Sequence, residues 1–248
     1  MSGPNGRNNA SSGRARKLAE ILASRIEDDI RRAGWPVGHV IGSEQELLSG
    51  YLVSRAVLRE AVRLLEHHQI ATMRRGPGGG LVVSEPDVAS VVRSVSIYLD
   101  YRRTDAEQLF TARAAVELRV VELATERIDE TGIRRLRAVV AEEAALVEAI
   151  LAGDRPDGDR FDDVVHRVHD LLAELSGNEP LHLFVQVLTK LTPRHAVPAF
   201  RAEENLAEVA KALHHAHRSL VEAVIAGDVA LARHRMNRHL QAMGPWLH

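Results

Sequence analysis

The chain of 248 residues contains no cysteine, so a disulfide framework and a thiolate metal site are both excluded. No apolar run approaches the roughly 20 residues that a membrane span requires. The polar, Gly/Asn/Ser-rich start over residues 1–13 lacks the apolar segment of a signal peptide and is predicted to be a disordered tail. These features predict a cytoplasmic protein of one or two domains, with no membrane partner.

The net charge of −2 argues at first against a nucleic-acid partner, but the charge is divided unevenly along the chain. Residues 14–84 hold 11 Lys or Arg against 8 Asp or Glu, whereas residues 85–248 hold 20 against 26. A basic head on an acidic body is expected of a DNA-binding domain that is joined to a separate module.

The basic head contains the pattern of a helix-turn-helix. Ser43 with Glu46 three residues later is a capping box, which starts a short helix that ends near Leu52. After a tight turn, Ser54 caps a second helix. Apolar side chains recur along one face of this second helix, at Val57, Leu58, Ala61, Val62, Leu64 and Leu65. Taken alone, such a helix is more often a solvated amphipathic helix, so the segment that follows it is decisive.

That segment, residues 70–83, has the pattern of a β-hairpin, with a flexible tip over Gly76 to Gly80 and a return strand over Leu81 to Val83. Arg74 and Arg75 give it positive charge. A simple loop is the alternative, while a phosphate-binding glycine loop is disfavoured because no helix follows directly. A basic hairpin behind a helix-turn-helix predicts a winged helix that binds DNA.

Residues 14–84 resemble the GntR family of bacterial transcription regulators. The resemblance is carried by Glu44–Leu47, by Val53–Ala61 with its Val-Ser-Arg-x-x-Leu-Arg-Glu-Ala pattern, and by Arg75–Gly80. It implies that Ser54, Arg55 and Arg59 contact DNA from the recognition helix, since arginine can bind guanine bidentately. It also implies that Arg75 and Gly76 reach the minor groove. Gln45 stands where many members have arginine and is expected to contact DNA without adding charge.

The fold class is predicted to be mostly α, with an N-terminal winged helix-turn-helix over 14–84 and a C-terminal helical bundle over 88–248. Pro86 would interrupt a helix or strand and marks a linker over 85–87. Helical periodicity predicts seven helices in the bundle, over about 88–101, 104–127, 131–152, 159–176, 179–192, 199–226 and 228–243. No stretch alternates long enough to predict a sheet there.

The bundle resembles the FCD effector-binding domain of the FadR subfamily. The similar stretches are residues 112–117, 169–178, 217–228 and 236–240. The resemblance implies that Arg113 faces an anionic effector, to which a guanidinium would bind bidentately. An intrahelical pair with Glu117, four residues on, is an equally good reading of Arg113.

Ten of the 13 histidines follow residue 165. Many FCD domains bind a divalent metal through three histidines and an aspartate, and His169, His217 and His239 match the histidine positions. Neutral imidazoles suit Zn²⁺ or Ni²⁺. The aspartate position is Val165, which weakens the metal expectation. An alternative register uses Asp162 and His166, but it breaks the match at residues 176–178. His166, His195, His214, His215 and His234 are expected at the surface or lining a pocket.

Three functions compete: a ligand-responsive regulator, a metal-dependent enzyme in the histidine-rich bundle, and an architectural DNA-binding protein. No local catalytic motif such as His-Glu-x-x-His supports an enzyme, and the long second domain disfavours a purely architectural role. The sequence therefore predicts a regulator that binds a palindromic operator as a homodimer. Its effector is predicted to be a fatty acid or acyl-CoA, or a small carboxylate. The apolar run over 181–188 suits an acyl pocket less well than core packing.

Overall fold

A computed structural model describes residues 6–154, 156, 158–195 and 206–243, with their side chains except at 6–12, 158, 159, 162, 193–195 and 243. The chain divides into two compact units, Met1–Asp87 and Val88–His248. Within the described ranges, no helix is both long and apolar enough to cross a membrane.

The first unit is a winged helix. Its elements are α1 (Gly6–Arg32), β1 (Val40–Gly42), α2 (Glu44–Tyr51), α3 (Arg55–His67), β2 (Ala71–Arg74) and β3 (Gly80–Val83). The strands form an antiparallel sheet in the order β1-β3-β2. Ser43 and Glu46 form the predicted capping box: Ser43 Oγ accepts from the N–H of Glu46, and the Glu46 carboxylate accepts from the N–H of Ser43. The hairpin formed by β2, residues 75–79 and β3 is called the wing below.

Two features of this unit differ from the predictions. Helix α1 begins at Gly6 rather than at Arg14, while residues 1–5 of the predicted tail lie outside the described residues. Once the amphipathic part of a helix has formed, further turns are added without a new nucleation cost. Strand β1 was not predicted, because three residues are too few to show a period of two.

The core of the first unit lies between α1, α3 and the sheet. Its most buried large side chains are Ile26, Leu58, Leu65 and Leu81, each at most 1% exposed. Burying one such side chain contributes about 1.5–3 kcal/mol. This packing fixes the apolar face of α3 inward, so its opposite face, which carries the arginines, is directed to solvent.

The second unit is helical throughout the part that the structure describes. Its helices are α4 (Val88–Tyr101), α5 (Ala106–Arg127), α6 (Glu130–Leu151), α7 (Gly158–Leu175), α8 (Glu179–His195), α9 (Leu206–Ile225) and α10 (Val229–Met243). The predicted mostly α fold with a small β-wing is confirmed, and the helix boundaries agree closely. The start predicted for the sixth helix of this unit, at residue 199, lies outside the described residues.

Helix α5 runs through the middle of this unit and packs against α7, α8 and α10. The surrounding core includes Leu172, Leu220, Met236 and Leu240, which are at most 1% exposed. Of the run over 181–188, Val185 and Val187 are buried and Phe184 is half exposed, in keeping with a packing role. Because α5 is central, polar side chains on it are buried and require partners.

Candidate functional site

The turn between α2 and α3 sets the direction of the recognition helix. Leu52 adopts the left-handed conformation with φ 55° and ends α2. Ser54 then caps α3, its hydroxyl accepting from the N–H of Val57 at 3.4 Å. The side chains of Arg55 and Arg59 are exposed at the N-terminal end of α3, the end that enters the major groove in helix-turn-helix proteins.

A hydrogen-bonded turn closes the tip of the wing, and the flexibility of this glycine-rich segment stays a prediction. The N–H of Gly79 donates to the carbonyl of Gly76 at 2.9 Å. A Cβ on Gly79 would lie 2.5 Å from the carbonyl oxygen of Arg74, and a Cβ on Gly80 would lie 2.4 Å from that of Gly42. Glycine is therefore required at both positions for the wing to fold back at this point.

The wing and α3 enclose a cleft of about 820 Å³, called the basic cleft below. Arg59 on α3 and Arg75 and Gly76 on the wing all line it, so three of the predicted DNA contacts share one groove. Gln45, Ser54 and Arg55 are exposed but do not line it. Two arginines that sequence reasoning left out of its DNA contacts, Arg63 and Arg74, do line it.

Two carboxylates, Glu44 and Glu66, also border the basic cleft. Glu66, in the last turn of α3, accepts a hydrogen bond from the N–H of Met73 in β2 at 3.1 Å. Since β2 is an edge strand, this bond joins the recognition helix directly to the outer strand of the wing.

The second unit brings His169, His217 and His239 together, and their candidate ligand nitrogens all lie within 4.8 Å of one another. These residues, on α7, α9 and α10, are called the histidine centre. Nε2 of His239 lies 3.1 Å from Nε2 of His169 and 3.3 Å from Nε2 of His217. The three side chains are at most 4% exposed.

Two buried glutamates hold the histidine rings in place through hydrogen bonds to the nitrogens that face away from the centre. Nδ1 of His169 donates to Glu117, and Nδ1 of His217 donates to Glu143 at 2.6 Å. Burial opposes the ionisation of Glu117, but Arg113 and His169 outweigh that effect and hold its pKa below the usual value. Burial lowers the pKa of His169 and His239, so their imidazoles are neutral at pH 7.

This arrangement fits a divalent metal. With Nδ1 of His169 and of His217 committed to carboxylates, their Nε2 lone pairs both face Nε2 of His239. A single N–H on His239 cannot donate well to two acceptors at once. A metal cation, in contrast, could be coordinated by the lone pairs of all three nitrogens. In a tetrahedral zinc site with Zn–N distances of about 2.0–2.1 Å, neighbouring nitrogens are about 3.3–3.4 Å apart, close to the spacings observed. Carboxylates behind ligating histidines are the usual outer shell of such sites.

The fourth position of the predicted ligand set is apolar. Val165 is 8% exposed and belongs to a hydrophobic cluster that includes Phe161 and Leu213. In the alternative register, the side chain of Asp162 lies outside the described residues, and His166 does not join the histidine centre. Burial, followed by the charge of Arg113, lowers the pKa of His166 to about 3.

Arg113 forms an ion pair with Glu117, and both side chains are at most 3% exposed. The geometry therefore favours the intrahelical pair over a free guanidinium, and contact with an effector stays a prediction. A continuous polar chain results, from Arg113 through Glu117 and the histidine centre to Glu143. Glu143 also accepts from Nδ1 of His214 at 3.1 Å, and the side chain of His214 is 18% exposed.

Sequence reasoning missed Glu143 and assigned Glu117 only to Arg113. No local signal identifies either as a histidine partner, because Glu117 is 52 residues from His169 and Glu143 is 74 from His217. A glutamate on the inward face of an amphipathic helix is the one available clue, since buried carboxylates are rarely left without partners.

A winged helix with a basic cleft, followed by a helical unit with an enclosed polar centre, defines a class of DNA-binding regulators with a separate sensing module. Comparison with known families agrees. Residues 18–82 match the description "Bacterial regulatory proteins, gntR family", and residues 108–242, more than half of the chain, match the FCD domain. The chain belongs to the gntR family of regulators, in the group that carries an FCD domain.

Individual relatives support this. The transcriptional regulator LutR of Bacillus subtilis is 26% identical over 208 residues, which cover 82% of this chain and 89% of LutR. The transcriptional repressor NanR of Cronobacter sakazakii is 26% identical over 237 residues, covering 92% and 84% of the two chains. A solved structure of a Streptococcus agalactiae GntR protein shares the fold, with a TM-score of 0.68, 24% identity and coverage of 91% and 98%.

LutR and NanR are regulators of transcription, and the interpretation of this chain as a ligand-responsive regulator rather than an enzyme is confirmed by the family matches. The protein binds operator DNA through its winged helix and an effector through its FCD domain. The finer placement in the FadR subfamily stays a prediction.

Proposed function

We propose that two copies of the chain bind a short palindromic operator, each placing α3 in the major groove and its wing in the adjacent minor groove. The observation that carries this proposal is the basic cleft, in which Arg59 of α3 and Arg75 of the wing line one groove. Arg59 would contact a base edge, while Arg75 and Gly76 would contact the backbone and minor groove. A symmetric dimer requires a symmetric site, which accounts for the palindrome.

The effector in this proposal is a small carboxylate that binds a divalent metal at the histidine centre. Three neutral imidazoles would hold Zn²⁺ or Ni²⁺ and supply no negative charge. The bound metal would act as a Lewis acid that attracts an anionic oxygen. Val165 supplies no ligand at the position where a protein carboxylate was expected, so an anionic ligand would have to come from outside the chain.

A fatty acid or acyl-CoA effector, the other predicted class, receives less support. The apolar side chains around Val165, among them Leu213, pack against one another as a core cluster. An acyl chain would have to displace these contacts, at a cost comparable to opening a cavity in a packed core.

Effector binding would act by shifting the population of dimer geometries. A dimer whose two recognition helices are no longer spaced for the half-sites would leave the operator. Only a ligand that binds the two geometries with different affinities can drive this change.

Substitution of Arg59 tests the operator half of the proposal. Arg59→Ala should weaken binding to the selected operator by about 1–3 kcal/mol and relax specificity at one base pair. Arg134→Ala, an exposed arginine on α6, is the control and should leave binding unchanged. Fluorescence anisotropy on operator and random duplexes measures both. Equal affinities of wild type and Arg59→Ala for both duplexes would show that α3 does not read bases.

A further inference from the structure

The negative charge of Glu66 is unexpected in a cleft that is proposed to bind DNA. It shares one face of α3 with Arg59 and Arg63, at spacings of seven and three residues, and lines the basic cleft with Arg74 and Arg75. An exposed carboxylate in a groove that receives DNA repels the phosphate backbone. Its presence there therefore calls for a role that offsets this repulsion.

The contact of Glu66 indicates that role. Its Oε1 accepts the N–H of Met73. Met73 lies opposite Leu81 in the β2–β3 register, and β2 has no strand on its other side. Without Glu66, this outward N–H would have only water as a partner. The bond fixes the outer strand two residues before Arg75, at the point where the chain leaves the sheet for the tip.

We infer that Glu66 is a positioning residue, which holds the wing at the distance from α3 that allows both to contact one DNA site. The inward side of the wing is already attached through β3, which pairs with β1 and is buried in the core. The outer side gains its side-chain hydrogen bond to α3 from Glu66. The inference rests on the proposed contact of Arg75 with DNA.

Two substitutions separate the hydrogen bond from the charge. Glu66→Gln and Glu66→Met both remove the negative charge, are similar in size and favour helix equally, but only glutamine keeps an acceptor. Glu66→Gln should bind the operator at least as tightly as wild type, because the repulsion is gone. Glu66→Met should bind about three- to tenfold more weakly than Glu66→Gln, as expected for the loss of one hydrogen bond to a charged or amide oxygen.

A double-mutant cycle with Arg75→Ala provides a readout that general destabilisation would not change. If Glu66 acts through the wing, the difference in operator affinity between Glu66→Gln and Glu66→Met should shrink to within about 1.5-fold when Arg75 is already alanine. Of the two Glu66 variants, only Glu66→Met should lose the wing's minor-groove protection in a hydroxyl-radical footprint. Thermal unfolding of each variant measures folding separately.

Three results would overturn the inference: equal operator affinities of Glu66→Gln and Glu66→Met, a difference that persists in the Arg75→Ala background, or a change of preference from cytosine to adenine at one position in Glu66→Gln. The last result would mean that Glu66 reads a base directly. An Arg75→Ala protein with wild-type affinity would instead show that the proposed wing contact is wrong, whatever Glu66 does.

Discussion

At the scale of single residues, position 165 decides the charge of the histidine centre. A bound dication there would be held by three neutral rings, and the residue four positions before His169 is the apolar Val165. Position 165 lies one helical turn before His169, so the substitution Val165→Asp would supply an anionic fourth ligand. We expect it to tighten Zn²⁺ binding by about tenfold or more, measured by competition with a chelating dye.

The same substitution should destabilise the metal-free protein, because a buried carboxylate without a partner is costly. Val165→Asn is the control, since it has the shape of aspartate without the charge. If both variants bind Zn²⁺ no better than wild type, position 165 does not face the metal.

His166 makes stability depend on pH. Its pKa is lowered from 6.5 to about 3 in the folded protein, first by burial and then by Arg113. Below pH 6.5 the unfolded chain binds a proton that the folded chain does not, so stability falls as the pH drops toward 3. The loss from His166 between pH 6.5 and 5 should be about 1.5 kcal/mol. Burial of His169 and His239 acts in the same direction.

Urea unfolding of the chelator-treated protein at pH 7 and pH 5 measures this loss, and His166→Gln should reduce it. Glu117 does not contribute in this window, because its pKa is lowered and its stabilising effect is lost only below its ordinary value near 4.5. A free energy of unfolding that is equal at the two pH values would contradict the lowered pKa values of these histidines.

At the scale of elements, the wing carries two adjacent cations, Arg74 and Arg75, on one side of the basic cleft. The turn from Gly76 to Gly79 closes it, and Arg75 stands at its start. Arg75→Ala should weaken binding to all sequences alike and reduce the salt slope by about 0.9, the value for one released counterion. Arg75→Lys should retain the slope, since it keeps the charge. An unchanged slope in Arg75→Ala would make Arg75 an ordinary solvated side chain.

Most helices and strands could be predicted because each shows its own hydrophobic periodicity or is bounded by capping and turn residues. The capping residues Ser43 and Ser54 follow from local pattern, and so do the seven helices that the structure describes after residue 87. Strand β1 is defined only by its pairing with β3, so its own three residues carry no pattern that predicts a strand. The histidine centre was found through sequence resemblance, whereas Glu143 became visible only when α6 and α9 were packed together.

At the scale of the whole molecule, the DNA-binding unit and the sensing unit each have their own hydrophobic clusters, and no cluster of the described residues includes side chains of both. His217→Ala should therefore abolish Zn²⁺ retention and the response to small carboxylates, while operator affinity without effector stays within about twofold of wild type. Native mass spectrometry and anisotropy measure the two quantities. His215→Ala, an exposed neighbour on α9, should change neither. Loss of operator binding in His217→Ala alone would mean that the two units do not act independently.

The burial of the histidine centre also has a kinetic consequence. With its three rings at most 4% exposed, a metal ion can enter or leave only when the helices around it open locally. Exchange is then limited by the rate of that opening rather than by diffusion. A metal held in this way would persist through short changes in its free concentration. It would serve as a lasting part of the receptor, and a carboxylate that binds to it would have to enter through the same local opening.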